Sequence, residues 1–217
     1  MNSIRDLVHI VLHLNEYLDG WSASLGMGMY GLLFAVVFCE TGLVVMPFLP
    51  GDSLLFACGV LAASPNSGIQ LLPLIAVLVA GAILGDAANY AIGAALGRKI
   101  IAKKPRWLNA RHLERTQEFY EKHGGKTIVF ARFLPIVRTF APFVAGMGRM
   151  GYRRFALYNV GGGVVWVVSL VLLGHRFAGT ELVKKNFQLV VLAIIVISVL
   201  PVVVEALRAR ASSRKSP

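Results

Sequence analysis

Four charged residues lie inside two apolar, proline-containing stretches of this 217-residue chain. Arg132 and Arg138 fall in one such stretch, and Glu40 and Asp52 fall in an earlier one. A single charge at the centre of a bilayer costs about 2.5–3.5 kcal/mol, so four unpaired charges would cost on the order of 10 kcal/mol together. We therefore expect the two acids and the two bases to meet.

The chemistry of such a cluster follows from its groups. Arginine binds phosphate through two parallel hydrogen bonds, so an anionic headgroup could displace a carboxylate from Arg132 or Arg138. A displaced carboxylate in a medium of low dielectric can take up and release a proton, which assigns proton exchange to Glu40 and Asp52. Two alternatives stay open. The arginines could be purely structural ion-pair partners, and Glu40 could cap a helix or extend to the membrane surface.

Three further polar residues receive a secondary role in the same site. Asp86 and Asn89 lie in a glycine-rich apolar stretch, and Asn159 lies in a later one, just before three consecutive glycines, 161–163. Asp86 could instead bond to Asn89 or to the backbone. The glycine triplet follows no strand, so it indicates helix packing rather than a nucleotide loop.

Enzymatic and metal-dependent functions are not expected. The chain shows no arrangement of nucleophile, base and orienting residue. Its histidines have no metal-ligand spacing with acids or thiols, so neither a metal nor another cofactor is expected. The two cysteines both lie in apolar runs and favour buried free thiols.

The composition predicts an all-α, polytopic membrane protein. Hydrophobic residues make up 56% of the chain and charged residues 15%, and the mean hydropathy is +0.67, whereas soluble domains are about 45–50% apolar. The net charge is +11, and its basic residues cluster in short segments beside the apolar ones. This is the pattern of cytoplasmic loops and not the surface of a nucleic-acid-binding protein.

Prolines divide two of the apolar stretches into arms that are too short to cross a membrane. The arm after Asp52 has about 11 residues where about 20 are needed, and Pro135 and Pro142 are expected to break the second stretch. Glycines in the span between the hairpins, Gly81 and Gly85 among them, predict close approach of another helix. The predicted order is an amphipathic N-terminal helix 1–27; a membrane domain 28–205 with a re-entrant hairpin 28–63, a span 71–97, a basic cytoplasmic loop 98–126, a re-entrant hairpin 127–148 and spans 155–174 and 186–204; and a basic cytoplasmic tail 206–217.

The predicted topology contains an inverted repeat. If the basic loop is inside, the first hairpin opens outward and the second opens inward, and each is followed by one span. The sequence Phe48-Leu49-Pro50 recurs as Phe133-Leu134-Pro135. Paired broken helices in inverted halves are typical of a transporter with its site at the bilayer midplane.

The motifs also resemble those of a known family. The chain is similar, over roughly residues 30–185, to the DedA family, the bacterial branch of the SNARE-associated or VTT-domain membrane proteins. The resemblance depends on Glu40 with the segment Pro47-Phe48-Leu49-Pro50-Gly51-Asp52, on Phe130-Ala131-Arg132-Phe133-Leu134-Pro135-Ile136-Val137-Arg138-Thr139, and on Gly146-Met147-Gly148-Arg149-Met150 followed by Phe155 and Asn159.

The resemblance implies two facing re-entrant hairpins and a flippase. Its expected substrate is undecaprenyl phosphate, carried across the bacterial inner membrane at the expense of the proton motive force and reused in envelope synthesis. It implies that Glu40, Asp52, Arg132 and Arg138 are the functional residues. Eukaryotic relatives scramble phospholipids, so the family leaves the lipid open.

Three functions are therefore carried forward: an anionic-lipid transporter, a proton-coupled ion antiporter, and a scaffold for envelope assembly. The expected partners are a membrane lipid and protons, with no nucleic acid. The expected location is the inner membrane, crossed several times, with a cytoplasmic C-terminus. The oligomeric state, a homo-oligomer included, is left open by the sequence.

Overall fold

The computed structural model describes residues 25–43, 51–65, 67–103, 128–129, 132, 135–148, 150–181, 183, 186, 189–190 and 193. This part of the chain is helical and contains no β-strand, which confirms the all-α class. Its five helices are α1 (Gly28–Gly42), α2 (Gly51–Ala63), α3 (Leu71–Lys103), α4 (Pro135–Met147) and α5 (Tyr152–Phe177). Most of the predicted N-terminal helix and of the basic loop, nearly all of the last span and the C-terminal tail lie outside the described residues.

Two of these helices are long and apolar enough to cross a membrane. The segments are Leu71–Leu96 of α3 and Tyr152–Phe177 of α5, each of 26 residues. Only 33% of the most apolar part of each is buried within the protein, so neither is enclosed like the core helix of a soluble protein. Large apolar side chains such as Leu72 and Leu157 are 78% and 72% exposed, as expected of surfaces that face lipid.

The helix boundaries follow the glycines and prolines that the sequence places there. α1 ends at Gly42 and α2 begins at Gly51, on either side of the first predicted break. α4 begins at Pro135, since proline fits the first position of a helix, where no amide hydrogen is needed.

The prediction that Pro142 also breaks the helix was wrong. Pro142 lies inside α4, which continues to Met147. A proline within a helix removes one hydrogen bond, to the carbonyl four residues earlier, and distorts the turn. Neighbouring helices can compensate for that loss in a membrane protein.

The described chain divides into two compact units. The first unit contains the described residues within Gly31–Leu49 and Ala76–Val168, and the second contains those within Met1–Tyr30, Pro50–Ile75 and Ser169–Pro217. Helices α3 and α5 contribute residues to both units.

Glycines bring the helices of the first unit into backbone contact, as predicted for the span that became α3. A Cβ on Gly85 would overlap the hydroxyl of Thr41 on α1 and would lie 2.8 Å from the carbonyl oxygen of Phe38. A Cβ on Gly93 would overlap the carbonyl of Phe143 on α4. One face of α3 therefore packs on α1 and another on α4, at distances that only glycine permits.

An aromatic cluster joins α3 to the connection between α4 and α5. The hydroxyl of Tyr90 donates to the carbonyl of Met150, and the Tyr90 ring stacks on Phe155 with 4.5 Å between ring centroids. The amide of Met150 donates to the carbonyl of Ala145 over 3.0 Å, which is the bonding of a Schellman helix end. The start of α5 is thereby fixed against α3.

The second unit also contains a close helix crossing. A Cβ on Gly59 of α2 would overlap the carbonyl of Val171 on α5, and one on Gly174 would overlap the carbonyl of Phe56. Before α3 the chain turns at Gly68, whose φ of +64° lies in the left-handed region that favours glycine. This turn lies between the predicted hairpin 28–63 and the predicted span 71–97.

Candidate functional site

One ion pair joins α4 to α1 in the first unit. Arg138, in the first turn of α4, donates from Nη2 to Oε1 of Glu40, in the last turn of α1. Glu40 is buried at 1% exposure, and the side chain of Arg138 is 9% exposed. The contact expected between an arginine of the later apolar stretch and Glu40 of the earlier one is present.

A second ion pair lies next to it and involves the other arginine. Arg132, in the turn before α4, donates from Nη2 to Oδ2 of Asp86 on α3 and to Oδ1 of Asn159 on α5. All three side chains are buried. The acid that contacts Arg132 is thus Asp86, to which the sequence interpretation gave only a secondary role. Asp86 is buried in the apolar part of α3, so a cation must reach it there if it is charged.

The glycine triplet of α5 makes room for Arg132. A Cβ on Gly162 would lie 3.2 Å from Cδ of Arg132, and one on Gly163 would lie 3.4 Å from Nη2. These contacts confirm that the triplet serves side-chain and helix packing. Because two successive residues of α5 lack side chains, Arg132 can approach the helix closely and still reach Asn159.

Asn89 connects the backbones beside the Arg138–Glu40 pair. Its Nδ2 donates to the carbonyl oxygen of Thr41 over 3.0 Å and to that of Thr139 over 2.8 Å. These carbonyls belong to the residues that directly follow Glu40 and Arg138. The Thr41 carbonyl lies at the end of α1, where carbonyls lack a helical partner, so Asn89 supplies the missing donor.

Asn159 has the equivalent function for the other pair. Its Oδ1 accepts from Arg132, and its Nδ2 donates to the carbonyl of Ile83 on α3 over 3.0 Å. Each ion pair therefore has one buried asparagine that ties it to α3. The two asparagines predicted as secondary site residues both contact the paired charges or the backbone beside them.

Trp166 is shared by the two arginines. The centre of its indole lies 5.0 Å from Cζ of Arg138 and 5.8 Å from Cζ of Arg132, within the distance of about 6 Å at which a cation is attracted to a ring face. Trp166 is 1% exposed. It was missed at the sequence level, although it follows Asn159 by seven residues and so lies on the same face of α5.

The four charges form one neutral cluster. Two guanidiniums and two carboxylates balance, and Arg138 acts electrostatically on Asp86 and on Arg132 as well as on Glu40. A singly charged anion that entered this cluster could replace a carboxylate on either guanidinium without a change in total charge if the carboxylate took up a proton. No three His, Cys, Asp or Glu side chains in the described ranges are grouped so as to hold a metal.

Asp52 belongs to the second unit. It is half-buried in the first turn of α2, where a carboxylate interacts favourably with the partial positive charge of the helix N-terminus. Its predicted part in proton exchange stays a prediction.

A helical chain that has apolar helices of spanning length, and that keeps paired charges buried between them, has the features of an integral membrane protein. Comparison with known proteins agrees. The family model of the VTT domain matches residues 49–176. Protein DedA of Escherichia coli is 47% identical over 216 residues, which is 99% of each chain. The chain belongs to the DedA family of VTT-domain membrane proteins.

More distant relatives are also membrane proteins by name. A protein of Mycobacterium tuberculosis, named as an uncharacterized membrane protein, is 37% identical over 202 residues, 93% of this chain and 88% of its own length. Inner membrane protein YghB of Escherichia coli is 35% identical over 161 residues, 73% of this chain and 72% of its own. No solved structure matches the chain significantly.

Proposed function

We propose that this protein transports an anionic lipid, undecaprenyl phosphate or a related phosphate lipid, across the bacterial inner membrane in support of envelope synthesis. Arg132 and Arg138 bind the phosphate, and Glu40 and Asp52 exchange protons. The observation that carries the proposal is the buried pairing of Arg138 with Glu40 between two apolar helices. Charged side chains buried among apolar helices are costly, so they are expected to serve a function inside the membrane. Binding the phosphate of a lipid that crosses the bilayer is such a function.

The exchange of partners supplies the coupling. When a proton binds Glu40, its carboxyl becomes neutral and releases Arg138, whose guanidinium then binds the arriving phosphate in the bidentate mode. When the phosphate leaves, Glu40 returns its proton and the ion pair forms again. One proton is bound and one is released in each cycle, and its uptake from the outer side and release to the inner side tie lipid movement to the proton motive force.

The membrane arrangement that goes with this function is also part of the proposal. The segments 28–63 and 127–148 form re-entrant hairpins, the chain crosses the inner membrane several times, and its C-terminus is cytoplasmic. The basic segments beside the apolar ones support that orientation.

The direct test is translocation by the Arg138→Ala variant. Wild type and variant are reconstituted into vesicles that contain a fluorescent polyprenyl phosphate or a fluorescent phospholipid, and dithionite reports which leaflet holds the label. We expect wild type to translocate the polyprenyl phosphate and the variant to fall to the rate of empty vesicles. Running both lipids at two pH values separates a selective flippase from a broad phospholipid scramblase.

A control is needed because the single substitution leaves a buried carboxylate without its guanidinium, which typically costs about 3–5 kcal/mol. The double variant Glu40→Gln, Arg138→Ala removes both charges, so we expect it to fold normally. If this variant folds and still transports at the wild-type rate, Arg138 does not bind the phosphate.

The position of Asp86 supports a second candidate function, that of a proton-coupled ion antiporter. Asp86 is a buried acid in the middle of a helix of spanning length, and such residues mark ion pathways in pumps and transporters. Ion flux in vesicles without polyprenyl phosphate, undiminished in the arginine variants, would support the antiporter. Absence of flux in those vesicles supports the lipid transporter.

A further inference from the structure

Trp166 is an uncharged side chain that lies beside both arginines of the described site. Each guanidinium has its own acid, Glu40 for Arg138 and Asp86 for Arg132. The indole lies under both, with centroid distances of 5.0 and 5.8 Å. Its side chain comes from α5, which carries neither acid.

The type of this contact matters for partner exchange. A carboxylate binds a guanidinium through its N–H groups and so competes with a phosphate for the same donors. The face of an indole attracts the cation through the ring quadrupole and occupies none of the N–H donors. An arginine held by Trp166 can therefore lose its carboxylate and keep its N–H groups ready for a phosphate.

We propose that Trp166 is a positioning residue that holds the guanidiniums of Arg132 and Arg138 during the exchange of carboxylate for phosphate. This inference rests on the proposed function and names a further residue of the same site. The ligand chemistry is a phosphate monoester, whatever lipid tail carries it.

The contribution of the ring is greatest in the intermediate between the two bound states. While Arg138 is paired with Glu40 or with a phosphate, the negative charge of that partner reduces the electrostatic attraction between the guanidinium and the indole ring. Between partners the cation is uncompensated, and its attraction to the indole is strongest. Weakening the attraction between the ring and the cation should therefore slow the exchange. It should change the affinity for the lipid little, since the carboxylate-bound and phosphate-bound states are affected about equally.

Fluorinated tryptophans provide the test. Each fluorine withdraws electron density from the ring face and weakens its attraction for a cation, while the ring keeps nearly the same size. The protein is prepared with Trp21→Phe and Trp107→Phe, so that position 166 holds the sole indole, and mono-, di-, tri- and tetrafluorinated tryptophan is incorporated. The maximal rate and the half-saturating concentration are measured with labelled polyprenyl phosphate in vesicles.

We expect the maximal rate to fall stepwise along the series, by about tenfold at the tetrafluorinated ring, with a half-saturating concentration that stays within about twofold. A ring that serves only as packing predicts a rate that does not change across the series. A flat series, in a protein that transports, would overturn the inference. A rise in the half-saturating concentration at a constant maximal rate would overturn it too.

Two controls separate the causes. Trp166→Phe with Trp21 and Trp107 retained should show no dependence on fluorination, because the labelled rings are then elsewhere. Thermal unfolding of each protein checks that the series does not differ in stability. If neither the wild type, with its three tryptophans, nor the single-tryptophan protein moves labelled lipid, the proposed function is wrong and this inference is wrong with it. If only the wild type transports, the test is Trp166→Leu in the otherwise native chain. That variant must lower the maximal rate, or the inference fails.

Discussion

Asn89 aligns the Arg138–Glu40 pair through the backbone. Its side chain is completely buried, and its amide donates one hydrogen bond to the carbonyl of Thr41 on α1 and one to the carbonyl of Thr139 on α4. Because those residues directly follow Glu40 and Arg138, the amide fixes the distance between the two backbones at the level of the ion pair. In the proposed exchange the pair opens and forms again, and backbones that stay in place would keep its two partners aligned.

Replacement of Asn89 by alanine should weaken both the fold and transport. It leaves two buried carbonyls without this donor, and each unsatisfied group costs about 1–3 kcal/mol. Asn89→Asp has the same shape but presents oxygens to both carbonyls, so it should be no better than alanine. Asn186, which is exposed, provides the control Asn186→Ala.

The measurements are the thermal unfolding midpoint in detergent and the translocation rate in vesicles. Both should fall for the two Asn89 variants and stay at wild-type values for Asn186→Ala. A wild-type rate and midpoint for Asn89→Asp would show that the shape of the side chain matters and its donors do not.

The sequence identifies charged site residues better than it identifies their partners. Arg132, Arg138 and Glu40 are conspicuous because a charge in an apolar run needs a reason. Which acid meets which arginine depends on how the helices pack, and this is why Asp86 was underrated as the partner of Arg132. An asparagine that bonds to backbone carbonyls leaves no pattern of spacing, so the contacts of Asn89 could not be foreseen.

The crossing of α3 and α4 depends on a reciprocal pair of glycines. Gly93 of α3 lies on the backbone of Phe143, and Gly146 of α4 lies on the backbone of Tyr90. A side chain at either position would meet main-chain atoms, which cannot rotate away. The crossing holds Arg138 and Asn89 on neighbouring helices, so its geometry bears directly on the site.

Gly93→Ala should therefore destabilise the protein by about 1–3 kcal/mol, the usual cost of overpacking. The matched control is Gly161→Ala on α5, since a Cβ there has nothing within 4 Å. Alanine is the better helix former by about 1 kcal/mol, so the control should be neutral or slightly more stable. The measurement is the thermal unfolding midpoint of each variant in the same detergent. Equal midpoints for Gly93→Ala and Gly161→Ala would contradict the described crossing.

Helix positions were predicted better than helix interruptions. The apolar runs fix α3 and α5 by length alone, and the proline and glycine signals place the ends of α1, α2 and α4. Pro142 was misread because a proline breaks a helix only when its lost hydrogen bond has no compensation. Whether a helix tolerates that loss depends on its tertiary contacts, which a local pattern does not contain.

The two described ion pairs lie in the first unit, together with Trp166 and both asparagines. That unit thus combines a neutral cluster of four charges with helices whose outer faces are apolar. The net charge of +11 arises elsewhere, in the basic segments that flank the apolar ones. The basic segments and the buried cluster are thus separate in the chain, and the proposed function assigns membrane orientation to the former and ligand binding to the latter.

The most direct test of the central claim compares two lipids that differ only in the phosphate. Vesicles with wild-type protein are given the same labelled polyprenyl chain either as its phosphate or as its alcohol, and the rate above that of empty vesicles is measured. Exchange of a carboxylate for a phosphate on Arg132 and Arg138 predicts protein-dependent translocation of the phosphate and none of the alcohol. Equal protein-dependent rates for the two lipids would contradict it.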